Sequence, residues 1–147
     1  MIRRTQSLAI REIKSWLEDH GQDVLYTDQP GSSRGGIGDR ANLNLAFEQL
    51  YDRTPDIVSI DKNQNLLIIE VDRRFVERLN SKFDEYMTKE NELLNRLEDK
   101  LDREITNLIF GFGTWNTSPP DVDVDYEPFY EFYLSEDDAR AVLHNDL

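Results

Sequence analysis

The fold of this chain is decided by PDIVSI at residues 55–60, DKNQN at 61–65 and LLIIEVD at 66–72. Two runs rich in β-branched residues flank five polar residues, a pattern that predicts a β-hairpin. Because both faces of each run are largely apolar, we expect the hairpin in the middle of a sheet. A carboxylate inside such a run is costly to bury unless it is paired or binds a cation. Asp56 and Glu70 are therefore the two residues that need an explanation.

The segments before the hairpin alternate between helical and strand patterns. Apolar residues at helical spacing predict a first helix over 5–20, and Gly21 has the character of a helix-ending residue. The rest of this half is expected to hold a strand over 23–28, a Gly- and Ser-rich loop over 29–39 and a short helix over 42–51.

The segments after the hairpin begin with a long helical pattern over 73–105. It predicts either a single protruding helix of about 45 Å or two helices that break near Glu90 and Asn91. The remaining pattern predicts a strand over 106–112, an acidic loop over 117–128 and a strand over 129–134. A final short helix is expected to begin at the cap Ser135-Glu136-Asp137-Asp138 and to end near His144.

Composition narrows the class of protein. The 147 residues suffice for a single domain over 1–147, with its core at about 5–112 and a C-terminal strand and helix over 129–145. With no cysteine and two histidines, disulfides, thiolate nucleophiles and multi-histidine metal sites are excluded. No apolar run approaches the length of a membrane span or a signal segment, so the expected location is cytoplasmic.

The order helix, strand, acid-bearing hairpin, helix and strand resembles the PD-(D/E)xK nuclease superfamily, which has the restriction-endonuclease-like fold. The residues that carry the resemblance are Pro55-Asp56 at the start of one strand and Glu70-Val71-Asp72 at the end of the next. The resemblance covers roughly 5–112 and is greatest to the archaeal Holliday-junction resolvases. It implies an α/β protein with an αβββαβ core, in which helices flank a central mixed sheet.

The same resemblance implies a metal-dependent DNA endonuclease that hydrolyses phosphodiester bonds. Its ion would be Mg²⁺ or Mn²⁺, which takes oxygen ligands. The expected ligands are the carboxylates of Asp56 and Glu70, the backbone carbonyl of Val71 and, from the first helix, Glu12. Strand alternation puts Asp72 on the same face as Glu70, so the expected catalytic set is Asp56, Glu70 and Asp72.

One motif position departs from the superfamily pattern. The third position is usually a lysine that orients the attacking water, and here it is Asp72. Asp72 would then serve as an extra metal ligand. The missing positive charge would have to come from Lys14, Lys82 or Arg74.

Partners follow from the same resemblance. DNA would be contacted by Arg34, Arg40 and Arg74, and a homodimer through helix 73–105 would place two sites against two strands. The net charge of −13, from 17 basic and 30 acidic residues, opposes DNA binding at long range. Two other functions therefore stay open: a catalytically inactive interaction module on the same fold, and an acidic DNA mimic that uses the Asp-rich segment 121–125.

Each candidate residue also has a plainer interpretation. Asp56 after a proline is typical of a strand start, and Glu12 is typical of a solvated helix position. Glu70 could be neutralised by Arg11 or Arg74 instead of a metal ion. The positions of these side chains relative to the first helix distinguish the two sets of interpretations.

Overall fold

The computed structural model describes residues 6–27, 43–51, 54–72, 78–114, 129–134 and 139–144. These ranges hold four helices and six strands. In chain order they are α1 (Gln6–Asp19), β1 (Asp23–Thr27), α2 (Leu43–Tyr51), β2 (Ile57–Ile60), β3 (Asn65–Asp72), α3 (Arg78–Thr88), α4 (Glu90–Leu101), β4 (Asn107–Thr114), β5 (Phe129–Leu134) and β6 (Ala139–His144).

The six strands form a single mixed sheet whose spatial order is the chain order, β1-β2-β3-β4-β5-β6. The pairs β1–β2, β2–β3 and β5–β6 are antiparallel, whereas β3–β4 and β4–β5 are parallel. The parallel connection between β3 and β4 contains α3 and α4, as crossovers between parallel strands usually contain helices.

Helices cover both faces of this sheet. On β3, Leu67, Ile69 and Val71 pack in a cluster with α1 residues, whereas Leu66 and Ile68 pack with α2, α3 and α4. The alternation arises because successive strand residues point to opposite faces. The expected α/β class, with a central mixed sheet flanked by helices, is confirmed.

The β2–β3 hairpin lies inside the sheet, between β1 and β4, as its apolar faces predict. Asp61 holds the turn, because its Oδ1 accepts hydrogen bonds from the backbone N–H groups of Asn63 at 2.8 Å and Asn65 at 2.9 Å. Its other oxygen, Oδ2, accepts a hydrogen bond from the Asn65 side chain at 3.0 Å. Gln64 adopts a positive φ of 65°, which closes the turn.

Within the described residues 78–101, the long helical pattern forms two helices, which is the second of the two predicted alternatives. α3 and α4 are separated by Lys89, whose φ of −127° and ψ of 30° interrupt the helix. The apolar stripes of both helices pack into the core of this same chain through Phe83, Tyr86, Leu93 and Leu97. The stripe therefore needs no second copy to bury it, and the homodimer stays a prediction.

The C-terminal segment corrects one prediction. The final element is not a helix but β6, which pairs antiparallel with β5, for example Ala141 opposite Phe132. Local capping signals favoured a helix, but six residues form fewer than two helical turns. Pairing with β6 satisfies the backbone groups of β5 that face away from β4.

Several predictions lie outside the described residues. They are the loops over 29–39 and 117–128, the capping residues 135–138, and the expected DNA contacts Arg34, Arg40 and Arg74. Within the described part of the chain, no helix has both the length and the apolar character needed to cross a membrane.

Candidate functional site

Asp56 and Glu70 meet at the end of the β2–β3 hairpin that is opposite its turn. The antiparallel register pairs Ile57 with Ile69, which places Asp56 opposite Glu70. The Asp56 carboxylate accepts a hydrogen bond from the Val71 N–H at 2.7 Å, and it shares a side-chain hydrogen bond with Glu70. The two acids that the sequence singles out therefore form a contacting pair.

Glu70 is almost fully buried, with 3% of its surface exposed. The Tyr86 hydroxyl donates a hydrogen bond to Glu70 Oε1 at 2.9 Å, and the Lys82 ammonium lies 3.9 Å from Glu70 Oε2. Both groups come from α3, which packs on this face of the sheet. The basic group beside Glu70 is thus a lysine, and Arg11, considered as its partner, is exposed on α1.

The pKa of Glu70 is raised from 4.5 to about 8. Burial is the largest cause, and the negative charge of Asp56 and the hydrogen bond with Asp56 add to it. Lys82 and the Tyr86 hydroxyl act in the opposite direction, because both favour the ionised carboxylate. Burial and the neighbouring Asp56 therefore favour the protonated form of Glu70.

The α1 residue at this site is Gln6, not Glu12. Its amide nitrogen donates hydrogen bonds to the Val71 carbonyl at 3.1 Å and to Asp56 Oδ1 at 3.4 Å. Glu12 lies six residues further along α1, about 9 Å along the helix axis and on another side of the helix. Because Gln6 is not an acid, the pattern of acidic residues in the first helix does not indicate it, although an amide oxygen can also bind a metal ion.

The other predicted residues occupy different places around the pair. Asp72 is half-buried, lies on the same sheet face as Glu70 and is opposite Thr114 of β4. Lys14 lies eight residues along α1 from Gln6, about 12 Å along the axis. Of the cations considered for the missing motif lysine, the described structure therefore brings Lys82 to the carboxylates.

The oxygen atoms at this end of the hairpin suit a hard cation such as Mg²⁺. Asp56, Glu70 and the Val71 carbonyl lie together, and rotation of the Gln6 amide would present a fourth oxygen. Across the described ranges, no three Asp, Glu, His or Cys side chains are grouped closely enough to hold a metal. The remaining positions around an ion would be filled by water, as is usual for Mg²⁺.

The Gln6 amide contacts Asp56 Oδ1 and the Val71 carbonyl oxygen, which leads to a first prediction. We expect Gln6→Glu to tighten Mg²⁺ binding by about 3- to 10-fold, because ligand charge raises affinity for hard cations. The substitution should also lower the melting temperature without ion, since a carboxylate at position 6 repels Asp56 and cannot donate the hydrogen bonds of the Gln6 amide. Melting curves across a Mg²⁺ titration measure both effects.

Glu12→Gln is the matched control for this substitution. It removes the acid that sequence patterns suggest, and it should leave Mg²⁺ affinity within about 2-fold of the unmodified chain, because Glu12 lies about 9 Å from Gln6 along α1. Weaker Mg²⁺ binding by Glu12→Gln, with no change in Gln6→Glu, would reverse the assignment.

Comparison with protein-family models, with curated proteins and with solved structures finds no match to this chain.

Proposed function

We propose that this chain is a metal-dependent nuclease that hydrolyses phosphodiester bonds in DNA, on a restriction-endonuclease-like core. The observation that carries the proposal is the contact between Asp56 and Glu70 at the ends of two adjacent strands, next to the Val71 carbonyl. Glu70 is buried and Asp56 is half-buried beside it, and two acids in contact at such a place are costly for the fold alone. A divalent cation that binds both of them accounts for their presence.

In this proposal Asp56, Glu70 and the Val71 carbonyl hold Mg²⁺ or Mn²⁺. A bound divalent ion lowers the pKa of a coordinated water and neutralises charge that develops on a scissile phosphate. Glu70 must release its proton for its carboxylate to bind, so ion binding is coupled to proton release. The Gln6 amide must also release the Val71 carbonyl or turn its oxygen toward the site.

Lys82 is proposed to take the role of the motif lysine that Asp72 replaces. Its ammonium lies 3.9 Å from Glu70 Oε2, and 30% of its side chain is exposed. It is therefore close to the carboxylates and also reachable from solvent, where a phosphate would approach. A fixed positive charge at this place stabilises negative charge on the phosphate.

Lys82→Met gives a second prediction. Loss of the positive charge should lower kcat by about 10²-fold, the size typical for removal of a group that stabilises transition-state charge. Mg²⁺ affinity should stay equal or become tighter, because a cation next to the carboxylates repels the ion. Single-turnover DNA cleavage and a separate Mg²⁺ titration distinguish the two effects.

Lys100→Met is the control for Lys82→Met, because it removes the same charge from the last turn of α4. It should leave kcat unchanged. If the two variants lose activity equally, net charge and not the position of Lys82 is responsible.

The direct test of the function uses purified full-length chain with plasmid, linear and branched DNA, with and without Mg²⁺ or Mn²⁺. Cleavage that requires the ion is the expected result. Ion binding is measured independently from the shift in melting temperature, and sedimentation tests whether the active species is a homodimer. A chain that binds neither ion and cleaves none of the three substrates contradicts the proposal.

A second candidate function is an inactive interaction module on the same fold. The position of the Gln6 amide favours it, because its hydrogen bonds to Val71 and Asp56 satisfy the site without an ion. This function predicts no change in melting temperature on addition of Mg²⁺ or Mn²⁺. Competition with DNA for a basic protein would instead support the acidic DNA mimic.

A further inference from the structure

One side of α3 contacts both oxygens of the Glu70 carboxyl group. Tyr86 donates to Oε1, and Lys82 lies near Oε2. These two residues are four positions apart, so they occupy the same side of the helix one turn from each other. Of the two, Tyr86 makes the shorter contact and is the one with no exposed surface.

Tyr86 is itself held rigidly by its surroundings. Its ring packs edge-on against Tyr51 and Phe47, with centroid distances of 5.0 Å and 6.1 Å, and it stacks on Phe110 at 6.4 Å. The Tyr51 hydroxyl donates a hydrogen bond to the Tyr86 backbone carbonyl at 2.8 Å. The ring contacts fix the Tyr86 side chain, and a phenylalanine at position 51 would keep them, so the Tyr86 hydroxyl presents a defined position to Glu70.

We propose that Tyr86 is a positioning residue that sets the orientation of the Glu70 carboxylate for a divalent ion. The hydrogen bond from its hydroxyl holds Oε1, which leaves Oε2 directed toward the side where Lys82 lies. This inference rests on the proposed function, since it assigns how one of the proposed ligands is oriented. Hydrogen-bond donors behind metal ligands commonly fix the ligand geometry in this way.

The orientation of the Glu70 carboxylate should affect the affinity for Mg²⁺ more than the affinity for Ca²⁺. Mg²⁺ requires near-ideal octahedral geometry, whereas Ca²⁺ accepts six to eight oxygen ligands in a flexible arrangement. A Glu70 carboxylate that lacks its anchor can rotate about its terminal torsion. Loss of the hydroxyl should therefore weaken Mg²⁺ binding more than Ca²⁺ binding, and a purely structural role for Tyr86 would not change this ratio.

The test compares Tyr86→Phe with Tyr51→Phe in the full chain. Each variant removes one hydroxyl from the same aromatic cluster, but only Tyr86 contacts Glu70. Binding of Mg²⁺ alone and Ca²⁺ alone is measured by calorimetry. We expect Tyr86→Phe to weaken Mg²⁺ binding by about 10-fold or more and Ca²⁺ binding by less, whereas Tyr51→Phe leaves the affinities for both ions within about 2-fold.

Equal effects of the two variants on Mg²⁺ affinity, or an unchanged Mg²⁺ to Ca²⁺ ratio in Tyr86→Phe, would overturn the inference. Glu70→Gln separates this failure from failure of the proposed function. If the unmodified chain binds Mg²⁺ and Glu70→Gln does not, the ion site stands even when Tyr86 has no effect. If the unmodified chain binds no divalent ion, the ion site and the role of Tyr86 both fail.

A measurement on the unmodified chain covers the case in which Tyr86→Phe does not fold. Tyrosines labelled with ¹³C at Cζ report the hydrogen bonding of each hydroxyl by NMR. Addition of Mg²⁺ should shift the Tyr86 signal more than the Tyr51 signal, because only the Tyr86 hydroxyl bonds a proposed ligand. Equal shifts, or no shift at Tyr86 while Mg²⁺ binds, count against the role.

Discussion

Asp56→Asn should reduce ion-dependent DNA cleavage by about 10³-fold or more, the loss expected when several kcal/mol of charge stabilisation by a metal ion disappear. Asparagine keeps an oxygen that can accept the hydrogen bond from the Val71 N–H, so the end of the hairpin retains its structure. It removes one of the two negative charges that would bind the ion. Cleavage rates and the Mg²⁺-dependent shift in melting temperature should therefore be lost together.

Asp61→Asn is the matched control, because it makes the same substitution at the other end of the same hairpin. Asp61 accepts three hydrogen bonds in the turn, so its replacement should lower stability. It should leave Mg²⁺ affinity unchanged. Cleavage that survives Asp56→Asn at the unmodified rate would show that the nuclease activity has another source.

The stability of the unmodified chain should fall relative to Glu70→Gln as the pH rises from about 4.5 to about 8, at up to about 1.4 kcal/mol per pH unit. The sign follows from proton binding. Between these pH values the folded state keeps the Glu70 proton, because its pKa is raised to about 8, whereas the unfolded state has released it. Raising the pH therefore favours the unfolded state.

Glutamine is the suitable comparison because it resembles the protonated form of Glu70. It still accepts the hydrogen bond from Tyr86, and it carries no charge at any pH. Free energies of unfolding from urea titrations of both proteins, taken at several pH values, give the difference directly. Parallel curves for the two proteins would show that Glu70 ionises in the folded protein as it does in the unfolded chain.

At saturating Mg²⁺, the free energy of unfolding of the unmodified chain should depend on pH almost as weakly as that of Glu70→Gln. The ion takes the place of the proton between Asp56 and Glu70, so the folded state no longer binds an extra proton over this range. An ion that stabilises the fold more strongly at pH 8 than at pH 5 would link Asp56 and Glu70 to metal binding in one experiment.

Local patterns were sufficient for the parts of the fold that depend on neighbouring residues. The apolar runs over 55–60 and 66–72 predicted β2 and β3, and their antiparallel pairing brings Asp56 opposite Glu70. The same type of pattern predicted a strand where β5 lies. It failed at the C-terminus, where the local signals favoured a helix and gave no indication that these residues pair with β5 as strand β6.

Local sequence patterns could not identify which other side chains surround Asp56 and Glu70. The sequence leaves Lys82 as one of three alternatives, with Lys14 and Arg74, and no pattern indicates Gln6 or Tyr86 as a site residue. Gln6 reaches the acids because the start of α1 lies near the end of β3, and Tyr86 reaches them because α3 packs on the opposite sheet face. Neither placement follows from spacing along the chain.

The amino-acid order thus determined that two acids lie at the end of an apolar hairpin opposite its turn, because alternation and turn chemistry act over a few residues. The packing of α1 and α3 decided which groups surround those acids: an amide, a tyrosine hydroxyl and a lysine. The pKa of Glu70 is a property of that packing, because burial and the nearby Asp56 charge exist only in the folded chain.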